Sequence, residues 1–256
     1  MTRLFTTLFP EANTARLAEY TECLSRNLDC AEIAEIYLMV EGERVTLPNS
    51  PKLHERQINR RPNYSDYFSW ISGIAKPEDI SIIANRDIYF DGQLGLFKFW
   101  ELPQKTVLAL SRWDIAPDGT AALFDRNDSQ DVWIFRGPLQ SVNGDFPIGV
   151  PRCDNRILFE FQEAGYCVLN PAFSVRSYHL HAGTRIEYAG TALSHFIAPP
   201  YRYMWPHNLW SLPRTLLHNI FHPRCRVGWT LDQRRLARTV PVRGLNKIGR
   251  TLRRPA

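Results

Sequence analysis

Several absences narrow the field before any motif is weighed. Five cysteines (Cys23, Cys30, Cys153, Cys167 and Cys225) are odd in number, scattered, and never spaced Cys-x-x-Cys. Neither a disulfide framework nor a zinc ribbon is indicated, and a reducing cytoplasm fits best. No run approaches the roughly 20 apolar residues of a membrane-spanning helix. The first apolar stretch, Leu4 to Pro10, carries two threonines and makes no secretory h-region. There is no internal repeat, no Gly-x-Ser-x-Gly, no P-loop and no Gly-x-Gly-x-x-Gly, so hydrolase triads, P-loop ATPases and Rossmann dehydrogenases lack support. What is present is a chain of 256 residues, 44% hydrophobic and 22% charged, with 14 Gly and 18 Pro. That composition excludes disordered, collagen-like and low-complexity classes, and the length suits one domain with an appendage or two small domains.

The net charge of +5 hides an asymmetry: residues 1 to 200 hold 19 Lys+Arg against 25 Asp+Glu, whereas residues 201 to 256 hold 12 against 1. Basicity is therefore a property of the tail, and any attraction to phosphate or anionic lipid is expected there. Pro199-Pro200 marks the change of character, and we divide the chain at 1–198 and 199–256. Beyond it, aromatics (Tyr201, Tyr203, Trp205, Trp210, Trp229) alternate with arginines. This suits an anionic membrane surface better than nucleic acid, since no nucleic-acid motif accompanies the charge. A solvated basic extension is the plainer expectation.

Along the first part, Thr2 to Phe9 reads as a strand. From Thr14, Leu17, Tyr20, Leu24 and Leu28 recur at helical steps with Glu19 and Glu22 opposite, and Ile33 to Val40 is a second strand. Residues 43–61 look like a long polar loop, Tyr64 to Ile74 a helix, and Asp79 to Ala84, Thr106 to Ser111 and Val132 to Phe135 further strands. A helix opens at Asp154-Asn155-Arg156 and ends at Gly165, followed by short extended pieces at Tyr166 to Leu169 and Ser174 to Leu180. Alternation of this kind predicts an α/β domain, its mostly parallel sheet flanked by helices.

Three features carry chemistry. Asn85 and Asp87 follow a buried strand and, two apart in extended chain, point the same way; such oxygen ligands suit Mg²⁺ or Mn²⁺ shared with a diphosphate. An Asx turn is the structural alternative. His179 and His181 share a face, so one or both suit a metal, or are ordinary surface histidines. Asp154, at a helix start, is either a cap or a carboxylate that accepts the proton of an attacking hydroxyl.

The order of Asn85-x-Asp87, Gly144-Asp-Phe-Pro-Ile-Gly149-x-x-x-Cys-Asp154-Asn and His179-Leu-His181 resembles the GT-A class of nucleotide-sugar glycosyltransferases. Leu110-Ser-Arg-Trp-Asp114, Ser129-Gln-Asp-Val-Trp-Ile-Phe135 and Cys153-Asp-Asn-Arg-Ile157 look like segments of bacterial and cyanobacterial-type members. The resemblance spans roughly residues 3 to 190. It departs at Asn85, where many relatives carry Asp, and at the single Asp154, where a Glu-Asp pair is usual. The resemblance implies a GT-A-like fold and a Mn²⁺ or Mg²⁺ cofactor. Asp87 would be a metal ligand with Asn85 as companion, and His179 or His181 the further ligand. Asp154 would be the catalytic base. Thr6, Thr7 and Glu41 at strand ends would contact the nucleoside, and Arg61 would pair with phosphate. Trp113 and Asp114 would hold a sugar, with a place in the core the equal alternative for Trp113; Asp131 would bind acceptor hydroxyls or serve as alternative base, or is an ordinary loop Asp before a strand. The implied activity is transfer of a sugar from a nucleoside diphosphate donor, a UDP-sugar first, to a hydroxyl of a glycan or lipid-linked acceptor on the cytoplasmic side. The rival reading is a binding protein on the same scaffold with a lapsed metal site.

Overall fold

The computed structural model describes residues 1–42, 46–180 and 196–209, with isolated positions 213, 216, 217 and 220 beyond. His181 and nearly all of the basic tail lie outside the described residues. In chain order the elements are β1 (Thr2–Leu8), α1 (Thr14–Asp29), β2 (Glu35–Glu41), β3 (Leu53–Ile58), α2 (Tyr64–Ile74), β4 (Ile80–Ala84) and β5 (Ile88–Tyr89). A 3-10 helix (Gly92–Lys98) leads to β6 (Thr106–Leu110), β7 (Trp113–Ile115), β8 (Ala121–Leu123), β9 (Val132–Arg136), α3 (Cys153–Glu163), β10 (Cys167–Leu169) and β11 (Tyr178–Leu180).

Strands β1, β2 and β4 are buried along most of their length because helices cover both faces of the sheet they form. That sheet has seven strands in the order β10-β6-β9-β4-β1-β2-β3, parallel throughout except for β9, which is antiparallel to both neighbours. Alternate residues feed two cores. Leu4, Ile36, Ile82 and Ile134 meet Leu24 of α1 on one face. Phe5, Ile83, Trp133 and Phe135 meet Tyr67, Ile71 and Phe161 of α2 and α3 on the other. The architecture is the predicted α/β one, a mixed and mostly parallel sheet flanked by helices.

Local chemistry sets the helix starts. Asn13 caps α1 by accepting from the backbone N–H of Ala15 and Arg16 at 3.0 and 3.2 Å. Asn63 and Asp66 form a capping box on α2. The loop before α3 crosses α2 where only glycine fits: a Cβ on Gly144 would lie 2.7 Å from the backbone nitrogen of Ser65. That contact fixes the approach of the segment leading to Asp154.

Four expectations change. The polar stretch 43–61 contains β3, an edge strand whose Glu55, Arg56 and Gln57 face solvent, which is why it lacks an apolar signature. Glu19, placed on the solvent face of α1, is buried and paired with Arg16. Packing continues past the compositional change at Pro199, since Met204 and Leu209 are buried in the two cores. Cys23, Cys30 and Cys153 are free and buried, but Cys167 is disulfide-bonded, where the scattered cysteines indicate no disulfide framework. Among the described residues no helix is long and apolar enough to cross a membrane.

Candidate functional site

Ligands in open α/β sheets bind beyond the carboxyl ends of the parallel strands, and there the chain forms a cleft of about 1030 Å³. Because β9 runs backwards, its entry, Asp131, reaches the same end as the exits of β1, β2 and β4.

One wall is charged and fully engaged. A second sheet, ordered β5-β11-β7-β8, lies over the exit of β4 and carries His179 to Asp87. His179 Nε2 is 3.3 Å from Asp87 Oδ2, and its Nδ1 is 2.8 Å from Asp114 Oδ1. Arg16 Nη2 donates to the same Asp87 oxygen at 3.0 Å. Burial would raise the Asp87 carboxyl, but His179 and Arg16 hold it well below the usual carboxylate range. Burial would lower His179; its bonds to Asp114 and Asp87 outweigh this and raise it to about 9.

Arg112 joins this wall to the next. It donates to Asp114 Oδ1 at 2.8 Å and to Asp131 Oδ2 at 2.9 Å, while Asn85 Nδ2 donates to Asp131 Oδ1 at 2.7 Å. Both oxygens of Asp131, the expected acceptor ligand or alternative base, are thereby engaged by Arg112 and Asn85. Asn85 likewise turns its amide nitrogen to Asp131.

Asp154 differs. Helix α3 begins one residue earlier than expected, with Arg152 in the cap position, so Asp154 lies inside the first turn and does not cap it. Its carboxyl accepts from the backbone N–H groups of Asn155 and Gln130, the latter a long bond of 3.4 Å to Oδ2. Desolvation, with Asp131 nearby, raises its carboxyl to about 7. A carboxyl poised there exchanges protons readily near neutral pH.

Among the described residues no group of three or more His, Cys, Asp or Glu side chains is arranged to hold a metal ion. Asp87 Oδ2 and His179 Nε2 nevertheless have suitable donor chemistry. Their 3.3 Å separation is near that of adjacent corners of an octahedral ion with bonds of about 2.1 Å. In the structure the two bond each other, His179 raised to about 9, so a divalent cation taking its other ligands from a diphosphate and water would sit on this pair by displacing the shared proton and the Arg16 bond to the same oxygen.

The remaining candidates divide. Thr7, Glu41 and Arg61 line the cleft; Arg61 Nε lies 3.7 Å from Glu41 Oε2. Thr6, one residue from Thr7 on a pleated strand, points to the other face and is buried away from the cleft. Trp113 is also absent from the cleft wall: it packs with Phe173 and Tyr178 and donates from Nε1 to the Ala172 carbonyl at 2.8 Å. Asp114 does line the cleft, but its contacts are to His179 and Arg112. Three arginines escaped sequence reasoning. Arg16 sits on the helix face turned to Asp87. Arg86, the middle residue of Asn85-Arg86-Asp87, is packed against Tyr20 and Phe9, and burial lowers it to about 10. Arg112 bridges two aspartates far apart in sequence. A buried arginine's only sequence signal is its company, here Asp87 and Asp114, each two residues or fewer away.

No family model matches the chain, and no curated protein matches it. Among solved structures it is similar to the 2-C-methyl-D-erythritol 4-phosphate cytidylyltransferase IspD of Francisella tularensis, at 10% identity, covering 53% of this chain and 73% of that one, with a TM-score of 0.33. It is similar to the apo glycosyltransferase GlyE of Streptococcus pneumoniae at 9% identity, covering 67% and 46%, with a TM-score of 0.37. It is also similar to an active-site mutant of LgtC at 12% identity, covering 92% and 99%, with a TM-score of 0.35. These are distant likenesses of α/β architecture to glycosyltransferases and a nucleotidyltransferase, and the chemistry of this chain rests on its own residues.

Proposed function

We propose that the chain is a nucleotide-sugar glycosyltransferase, taking a UDP-sugar in preference and transferring to a hydroxyl of a glycan or lipid-linked acceptor. The observation that carries the reading is the pairing, in one cleft, of a carboxyl raised to about 7 at Asp154 with the Asp87–His179 pair at the strand ends. Thr7, Glu41 and Arg61 offer contacts to nucleoside and phosphate on the β1–β2 side. A Mn²⁺ or Mg²⁺ ion held by Asp87 and His179 would neutralise charge on the departing diphosphate. Asp114, on His179 Nδ1, orients the ring so that Nε2 faces Asp87. In an inverting reaction Asp154 takes the proton of the acceptor hydroxyl as that oxygen bonds to the anomeric carbon and the bond to the diphosphate breaks. In a retaining reaction Asp154 has no such role.

Hydrolysis of a panel of UDP- and GDP-sugars with Mn²⁺ tests this. Slow consumption of at least one UDP-sugar is expected, with loss in Asp87→Ala; no consumption of any donor would overturn it. A second reading, a binding protein on the same scaffold, is favoured by one observation: Asn85 spends its amide on Asp131 instead of facing a cation. Nucleotide binding indifferent to Mn²⁺, without turnover, would support that reading.

A further inference from the structure

Three side chains near Asp154 carry buried polar atoms with no hydrogen-bond partner among the described residues: Gln130 Oε1, Trp133 Nε1 and Asn155 Nδ2. All three residues line the cleft. Their amide orientations follow from their other bonds. Gln130 Nε2 donates to the carbonyls of Met204 at 3.2 Å and Asn127 at 3.4 Å, which leaves Oε1 as the orphan. Asn155 Oδ1 accepts from Arg152 Nη1 at 3.2 Å, which leaves Nδ2. The indole nitrogen of Trp133 is a donor only. Buried polar groups are almost always paired, so three orphans on one wall call for a ligand that pairs them.

Their chemistry selects its class. One acceptor and two donors match hydroxyl groups, each of which donates once and accepts as well. Charge argues against an anion. Arg126 is matched to both oxygens of Asp128 at 2.7 Å, and Arg152 lies 3.6 Å from the same carboxylate. Asp131 and Asp154 add negative charge nearby.

We propose that Gln130, Trp133 and Asn155 form a subsite for a neutral sugar with neighbouring hydroxyls, which presents one hydroxyl to Asp154. This rests on the glycosyltransferase reading of the cleft, of which it is the acceptor side. It selects a glycan terminus over a phosphorylated acceptor group at this wall.

Saturation-transfer NMR titrations of the full chain with methyl glucoside, methyl galactoside and methyl mannoside test it, with UDP plus Mn²⁺ titrated in parallel. At least one hexoside should bind the wild-type chain, and at least tenfold more weakly to Asn155→Leu and to Trp133→Phe. Cooperative thermal unfolding checks that each variant folds; if Trp133→Phe does not, Gln130→Leu takes its place. No hexoside binding, or equal affinity in the folded variants, would overturn the proposal. Hexoside binding without UDP binding would keep the subsite and overturn the transferase reading. UDP binding without hexoside binding would do the reverse.

Discussion

The two walls of the cleft are built on opposite plans. On the side of Asp87, every charged group that meets the cleft has a close partner: His179 between two carboxylates, Arg16 on Asp87, Arg112 across Asp114 and Asp131. On the side of Asp154, the carboxyl accepts from backbone N–H groups of Asn155 and Gln130, and its neighbours carry orphaned polar atoms. A saturated network holds geometry, since each buried charge fixes the next. An under-satisfied wall stores unfavourable desolvation that a ligand can relieve. The contrast suggests a rigid wall for charge and a receptive wall for hydroxyls.

The largest effect should come from the receptive wall. Asp154→Asn should lower transfer by roughly 10³-fold, the scale of a lost general base, while nucleotide affinity stays the same; steady-state kinetics with a UDP-sugar check this. Retained turnover would remove Asp154 as the base. Asp87→Ala should follow, with transfer down by about 10²-fold and Mn²⁺-dependent UDP binding gone; calorimetry reads the second directly.

The charged wall is expected to dominate stability. Arg112→Gln leaves Asp131 with Asn85 and Asp114 with His179, and losing the buried Arg112–Asp131 pair costs about 3 kcal/mol; urea unfolding measures it. A loss under about 1 kcal/mol would mean that the pairs are worth no more than surface bridges.

Smallest are the effects of pH, which run in the same direction on the two walls but in different windows. His179 is raised from 6.5 to about 9, so its contribution is whole below pH 6.5 and disappears as pH rises through 9. Asp154 is raised from 3.8 to about 7, so the folded chain holds a proton that the unfolded chain releases, and stability falls as pH climbs from 4 to 7. Asp154→Asn should therefore raise Tm at pH 8 and leave it nearly unchanged at pH 4. Thermal unfolding at the two pH values distinguishes this from a merely neutral substitution.

The main sheet was legible because each of its central strands is a run of apolar residues with its own turn signals. Helix α2 was placed at Tyr64–Ile74 from its pattern alone. Strand β3 was missed because an edge strand facing solvent has the composition of a loop. The second sheet was missed for a different reason. Strands β5, β7, β8 and β11 are two or three residues long, too short for a period to register.

That sheet joins His179 to Asp87; the sequence offers His179 and His181 equally, and strands this short leave no sign of the pairing that carries the first. Asp114 was read as a sugar ligand because nothing in the chain shows that it lies 2.8 Å from His179. Trp113, its neighbour, faces the opposite way, into a small core. Thr6 and Thr7 repeat the lesson: alternation puts only one of two adjacent strand residues at the cleft.

Asp87 and His179 acting together on a nucleoside diphosphate is the claim on which the rest turns, and thermal unfolding of the wild-type chain with UDP, with and without Mn²⁺, tests it most directly. The account predicts a rise in Tm with UDP that grows when Mn²⁺ is added and vanishes in Asp87→Ala. A UDP shift of equal size with and without Mn²⁺, preserved in Asp87→Ala, would contradict it.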